Sequence, residues 1–155
     1  MVAQTPYEVY LGSAHQPETV LWLVPQAVVL GIGCRKGIGA EALEAIFQAS
    51  GIVPQSVCAV ASIDLKAEEA GLQAFCERHG WPLQVYSAAE LSQVTGTFSG
   101  SAFVEKTTGV DNVCERAAVL SCGGTLIRHK MTGAGVTLAA ACKPILLDWR
   151  FHNAW

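Results

Sequence analysis

The chain has 155 residues, of which 51% are hydrophobic and only 15% charged, with a formal net charge of −3. That composition fits one folded domain with a real core and excludes a disordered chain. Arg35-Lys36 is the only adjacent Lys/Arg pair, so the clustered cations that nucleic acid requires are missing and nucleic acid is not an expected partner.

From the N-terminus, Met1–Tyr10 lacks both the basic and the apolar regions of a signal peptide. Residues 1–25 show no clear period, are punctuated by Pro6, Gly12, Pro17 and Pro25, and read as an arm or linker. The longest apolar stretches, Val20–Val24 and Ala27–Ile32, fall well short of the roughly 20 residues needed to cross a bilayer. No membrane association is expected, and the cytoplasm is the expected location.

Ala27–Ile32 is a continuous apolar run, as in a strand covered on both faces. Gly31 and Gly33 then suggest a sharp turn into a helix over Gly39–Ser50, with Leu43, Ile46 and Phe47 on its inner stripe and Gly51 as its stop. Ser56–Ile63 is a second buried strand. Asp64 is placed to cap a following helix with Glu68 and Glu69 in its first turn, and Leu65, Leu72, Phe75 and Cys76 as its stripe up to Gly80. Leu83–Tyr86 reads as a third strand, and Ser87-Ala88-Ala89-Glu90 as a capping box. Thr95–Gly109, rich in Gly, Ser and Thr, is a candidate active-site loop. Asn112–Cys122 reads as a helix ended by Gly123-Gly124, and Thr125–Lys130 with Val136–Cys142 as a hairpin. Pro144–Trp155 is a tail with two of the four tryptophans.

This order predicts an α/β fold: three αβα layers around a mainly parallel sheet, with a C-terminal antiparallel hairpin. Ligands of such sheets sit at the carboxyl ends of the strands, and three polar clusters fall there. Gly33, Cys34, Arg35, Lys36 and Gly37 set two cations beside a helix entry, which suits an anion or is a plain tight turn. The spacing is not G-x-G-x-x-G, nor is there a Walker pattern, which argues against a nucleotide-binding enzyme. Ser62 to Lys66 offers Asp64 as a proton-transfer group and Lys66 as an anion clamp, or simply a capped helix start. Asp111, Asn112, Glu115 and Arg116 are dense charge for this chain, although Asn112-x-x-Glu115 is also a cap. Cys114 has no adjacent histidine to activate it as a nucleophile. The cysteines, at 34, 58, 76, 114, 122 and 142, have no C-x-x-C spacing and read mostly as buried small hydrophobes in a reducing compartment. Together with His15, His79, His129 and His152 they show no metal-ligand spacing. No metal site and no cofactor are expected.

Taken together, GIGCRKG, ASIDLKAEEAGL, FSGSAFVEKTTGVDNVCERAA and GGTLI resemble the C-terminal domain shared by the cobalamin biosynthesis proteins CbiG and CobE. The resemblance covers about residues 26–142 in the family's order, and Pro17–Leu23 is similar to the segment that precedes this domain in CbiG. The expected layout is an arm at 1–25, the domain at 26–143 and a tail at 144–155. The resemblance implies a CobE-like protein or the C-terminal piece of a CbiG-type protein. CbiG is the cobalt-precorrin-5A hydrolase, which opens a δ-lactone on the corrin macrocycle and releases two carbons as acetaldehyde.

The implied substrate is a flat apolar ring edged with acetate and propionate carboxylates. Arg35, Lys36, Lys66 and Arg116 suit its rim, alongside Gly33, Cys34, Gly37, Ser62 and Asn112 as further binding positions. Asp64, Asp111 and Glu115 are the carboxylates available for proton transfer or nucleophilic attack. Other cobalamin-pathway enzymes are the implied protein partners. The alternative is a module without chemistry of its own that carries the intermediate to those enzymes.

Overall fold

The computed structural model describes residues 7–10, 20–96 and 112–144. In the N-terminal region β1 (Tyr7–Tyr10) and β2 (Val20–Leu23) pair antiparallel, Tyr7 opposite Leu23, in a two-stranded sheet of their own. Sequence periodicity gives no warning of this pairing.

The main sheet starts with β3 (Val28–Cys34), a strand buried on both faces. Its glycines are not the turn. Gly31 and Gly33 lie inside the strand, and the chain bends only at Arg35–Gly37, where Gly37 has φ 76°. Then come α1 (Ala40–Ser50), β4 (Val57–Ile63), α2 (Ala70–His79), β5 (Leu83–Tyr86), α3 (Ala88–Ser92), α4 (Val113–Cys122), β6 (Thr125–Gly133) and β7 (Val136–Cys142).

The strand order is β5-β4-β3-β7-β6. β3, β4 and β5 run parallel, while β7 is antiparallel to both β3 and β6. The C-terminal hairpin therefore inserts its second strand against β3, which becomes the central strand. The hairpin turn, Ala134-Gly135, has φ 50° and 81°, the two positive values that a two-residue turn matched to strand twist needs.

Helices cover both faces, giving the three αβα layers expected. On one face Leu43, Ile46 and Phe47 of α1 and Leu72 and Phe75 of α2 pack on Val28, Leu30, Ile32, Val60 and Leu138. Phe47, Phe75 and Trp81 meet edge to face, and His79 stacks on Trp81 while its Nε2 lies 2.7 Å from Glu44 Oε1. On the other face α4 packs Val113, Ala117 and Ala118 with Leu91 of α3 onto Val29, Ala61, Ile63 and Ala141. Each large apolar side chain buried in these layers contributes roughly 1.5–3 kcal/mol.

Local signals set most boundaries. The Ser87–Glu90 capping box is formed in both directions, and Gly51, Gly80 and Gly123 end their helices in the left-handed region. The start of α2 differs from expectation. Asp64–Lys66 forms a single 3₁₀ turn, and the helix begins only at Ala70. Gly71 lies so close beneath Ile38 that a Cβ there would overlap the Ile38 carbonyl oxygen, so packing against the α1 entry fixes where α2 starts. Leu65 consequently leaves the helical stripe and stands 65% exposed.

Candidate functional site

The carboxyl end of β3 is a switch point: the chain leaves it over one face through α1 toward β4, while α4 covers the other face on the way to β6. Open α/β sheets bind ligands at such points. Two clusters meet there, one on each face.

The first joins the α1 and α2 entries. Arg35 N–H donates to the Gly135 carbonyl at 2.9 Å, and the Arg35 stem lies over Gly135, whose Cβ, if present, would be 3.1 Å from Cδ. The Arg35 stem thus lies on the β7 side of β3, and Arg35 and Lys36 are exposed. On the β4 side, Ser62 Oγ is buried and donates to the Ile32 carbonyl at 2.7 Å, pinning the two strand ends together. Asp64 is exposed and follows directly. Lys66 is 20% exposed in its side chain, with Nζ 4.0 Å from Glu69 Oε1. Glu69 Oε2 accepts the Gly37 N–H at 3.0 Å. The loop that reads as an anion site therefore already holds an anion, the protein's own Glu69. Burial pushes the half-buried Cys34 thiol up, the Lys66 charge offsets part of this, and Glu69 adds to it.

The second cluster is built on the α4 N-terminus. Gly31 and Gly33 let this helix end approach β3: a Cβ at Gly31 would overlap the Cys114 carbonyl oxygen, and one at Gly33 would lie 2.6 Å from Thr137 Oγ1. Asn112 caps the helix, its Oδ1 accepting the Glu115 N–H at 3.4 Å and the Cys114 thiol at 3.3 Å. Among the described residues its Nδ2 is buried without a hydrogen-bond partner, which costs about 1–3 kcal/mol. Glu115 is fully buried; Oε1 accepts the Lys130 N–H at 2.7 Å and lies 3.6 Å from Nδ1 of the exposed His129. Burial lifts the Cys114 thiol to about 11, with Thr137 the chief offset, so it carries its proton at neutral pH and is no nucleophile there. Arg116 Nη1 donates to the Val94 and Leu91 carbonyls at 2.7 and 3.4 Å, closing the C-terminal end of α3.

The sequence clusters at 33–37, 62–66 and 112–116 thus share one end of the sheet. Asp111 and nearly all of the Thr95–Gly109 loop lie outside the described residues. Glu69, Thr137 and His129 escape sequence reasoning. Glu69 carried one usable signal, an acid three residues after Lys66 in a chain sparing with charge. Among the described residues no group of His, Cys, Asp and Glu could hold a metal ion, and no helix is long and apolar enough to cross a membrane.

The family model of the cobalamin synthesis G C-terminus matches residues 28–141. Over 120 residues the chain is 36% identical to the cobalt-precorrin-5A hydrolase of Salmonella typhimurium, covering 75% of this chain and 34% of that protein. The Priestia megaterium protein of the same name is 33% identical, with 77% and 33% covered. The chain thus spans about a third of the length of these hydrolases. Protein CobE of Sinorhizobium sp is 32% identical, with 74% of this chain and 79% of the relative covered. Among solved structures, CobE, a protein from the cobalamin (vitamin B12) biosynthetic pathway, superposes with a TM-score of 0.68 at 28% identity, over 74% of this chain and 92% of that one. The cobalamin biosynthesis protein chiG of Agrobacterium tumefaciens gives 0.55 at 28% identity, over 75% and 98%. With the family model spanning the whole five-stranded sheet but its last residue, the chain belongs to the cobalamin synthesis G C-terminus family.

Proposed function

We propose that the crevice at the carboxyl end of β3 binds a corrin-ring intermediate of cobalamin biosynthesis by its carboxylates, in the context of δ-lactone opening in cobalt-precorrin-5A. Family membership makes this a cobalamin biosynthesis protein, similar to the cobalt-precorrin-5A hydrolases over their C-terminal part. The observation that carries the site is the convergence on one sheet end of exposed Arg35 and Lys36, of Lys66, and of the α4 N-terminus. A macrocycle edged with acetates and propionates needs positive groups around its rim and apolar surface against its face. Leu65, exposed beside Lys66, supplies apolar surface at that rim. Gly33, Cys34, Gly37, Ser62, Asn112 and Arg116 complete the binding positions, the buried ones by shaping the crevice.

In lactone opening, water adds to the acyl carbon and the acyl–oxygen bond breaks, leaving a carboxylate and an alkoxide. The alkoxide collapses to a carbonyl as the C–C bond holding the two-carbon fragment to the macrocycle breaks, the macrocycle keeps that electron pair and takes up a proton, and the fragment leaves as acetaldehyde. A general base must take the water's proton, and a carboxylate serves. Asp64 faces solvent at the crevice, Asp111 directly precedes the α4 cap, and Glu115 reaches the surface through His129; these are the groups proposed for that transfer.

One observation favours a second reading, a binding module that presents the intermediate to partner enzymes. Glu115 at the α4 N-terminus is fully buried and held by the Lys130 N–H, and the Cys114 thiol beside it keeps its proton at neutral pH, so these two groups serve the fold. Incubating the chain with cobalt-precorrin-5A and assaying acetaldehyde separates the two: turnover supports the hydrolase, and tight binding without turnover supports the module. An Arg35→Ala/Lys36→Ala variant that binds the intermediate as the wild type does would sink the rim-cation assignment.

A further inference from the structure

Among the described residues, Asn112 Nδ2 and Arg128 Nε are buried side-chain atoms without a hydrogen-bond partner, and of the two residues only Asn112 is buried as a whole. It is 1% exposed and holds φ 47°, ψ 57°, a left-handed conformation uncommon outside glycine. Two donors, the Glu115 N–H and the Cys114 thiol, converge on one end of its amide, which settles that end as the oxygen. The other end is therefore the NH₂, with two hydrogens and no partner among the described residues. The helix it caps has ten residues, so its N-terminus carries a full partial positive charge.

We propose that Asn112 Nδ2 is a dedicated donor to a ligand carboxylate seated at the α4 N-terminus. A cap alone needs only an acceptor, and aspartate caps as well as asparagine. Among the described residues the amide nitrogen bonds to nothing, yet it is held buried at a cost. A carboxylate oxygen answers both the unpaired N–H and the helix charge, and the resulting charged hydrogen bond is about twice as strong as a neutral one. The corrin identity of that ligand rests on the function proposed above; the carboxylate chemistry does not.

The test uses the full chain. Asn112→Asp keeps the cap oxygen and tolerates positive φ, but removes the donor and adds a repelling charge. Its thermal midpoint reports what the buried charge costs the fold, while affinity for cobyrinic acid, a corrin with free carboxylates, falls about 10- to 100-fold in protein that remains folded. On ¹⁵N-labelled wild-type protein, the Asn112 side-chain NH₂ resonance should shift on titration with propionate and not with chloride at equal ionic strength. That second measurement stands whatever the fate of the variant's fold. If the Asn112 resonance moves with propionate but cobyrinic acid does not bind, the donor stands and the corrin reading falls. If cobyrinic acid binds wild type and Asn112→Asp within twofold and the resonance stays still, the donor assignment is overturned and the corrin reading survives. If propionate leaves the resonance still and cobyrinic acid does not bind, both fall.

Discussion

Gly31 lies directly beneath the Cys114 carbonyl, and a Cβ at that position would overlap the oxygen and come within 2.9 Å of the Ala118 methyl. Both obstacles belong to α4, one of them backbone. Gly31→Ala must push the helix off the sheet. We expect a loss of about 1–3 kcal/mol, as in other overpacked cores, read as a shift in the urea midpoint. Gly133→Ala is the control: nothing lies within 4 Å of its Cβ and its φ is ordinary, so its change should stay within about 0.5 kcal/mol.

Glu69 occupies the place that an incoming carboxylate would take between Lys66 and the Gly37 N–H. Glu69→Gln keeps the shape and an acceptor for Gly37 while releasing Lys66 from its ion pair. Affinity for a polycarboxylate such as cobyrinic acid should rise several-fold, measured by isothermal titration at low salt, and the gain should shrink as salt screens it. An affinity unchanged at both salt concentrations would remove Lys66 from the binding rim.

Arg116 and Lys36 are both cations of the proposed rim, but they are held differently. Arg116 donates to the Val94 and Leu91 carbonyls, whereas Lys36 is exposed. Arg116→Ala should lower stability by about 1–3 kcal/mol through the carbonyls it leaves behind. Lys36→Ala should leave the thermal midpoint within a degree or two of wild type and act on ligand affinity alone. Parallel melting and titration curves check both halves.

The Cys114 thiol, lifted by burial from 9.0 to about 11, makes stability fall at high pH. Below about pH 9 both folded and unfolded chains keep this proton, and the group contributes nothing. Between about 9 and 11 the unfolded thiol ionises while the folded one does not, so the unfolded state binds fewer protons and stability declines. The loss from this group is on the order of 2 kcal/mol across that window. Urea midpoints measured from pH 8 to 10.5 should drop less steeply in Cys114→Ala than in the wild type.

Much of the architecture follows from local chemistry that the sequence displays. Apolar runs and helical stripes place β3, β4, α1 and α4, and the Ser87–Glu90 box needs no tertiary help. What escapes are features decided by distant partners. Gly31 and Gly33 look like a turn because glycine breaks strands, but their role is to admit Cys114 and Thr137, which are far along the chain. The helix after Asp64 starts late because Gly71 fits under Ile38. Within the site, the sequence brings forward the residues at 33–37, 62–66 and 112–116. It cannot tell that Glu69 fills the first cluster or that Arg116 is turned toward α3, since both depend on side-chain placement across elements.

The register of β3 against β7 has a consequence for how the molecule comes into being. Thr137 donates to the Gly33 carbonyl across 104 residues of chain, and Val28 through Cys34 all take their antiparallel partners from the last strand of the sheet. During synthesis one edge of the central strand must wait open until β7 leaves the ribosome. Such non-local pairing folds slowly and exposes an apolar edge while it waits.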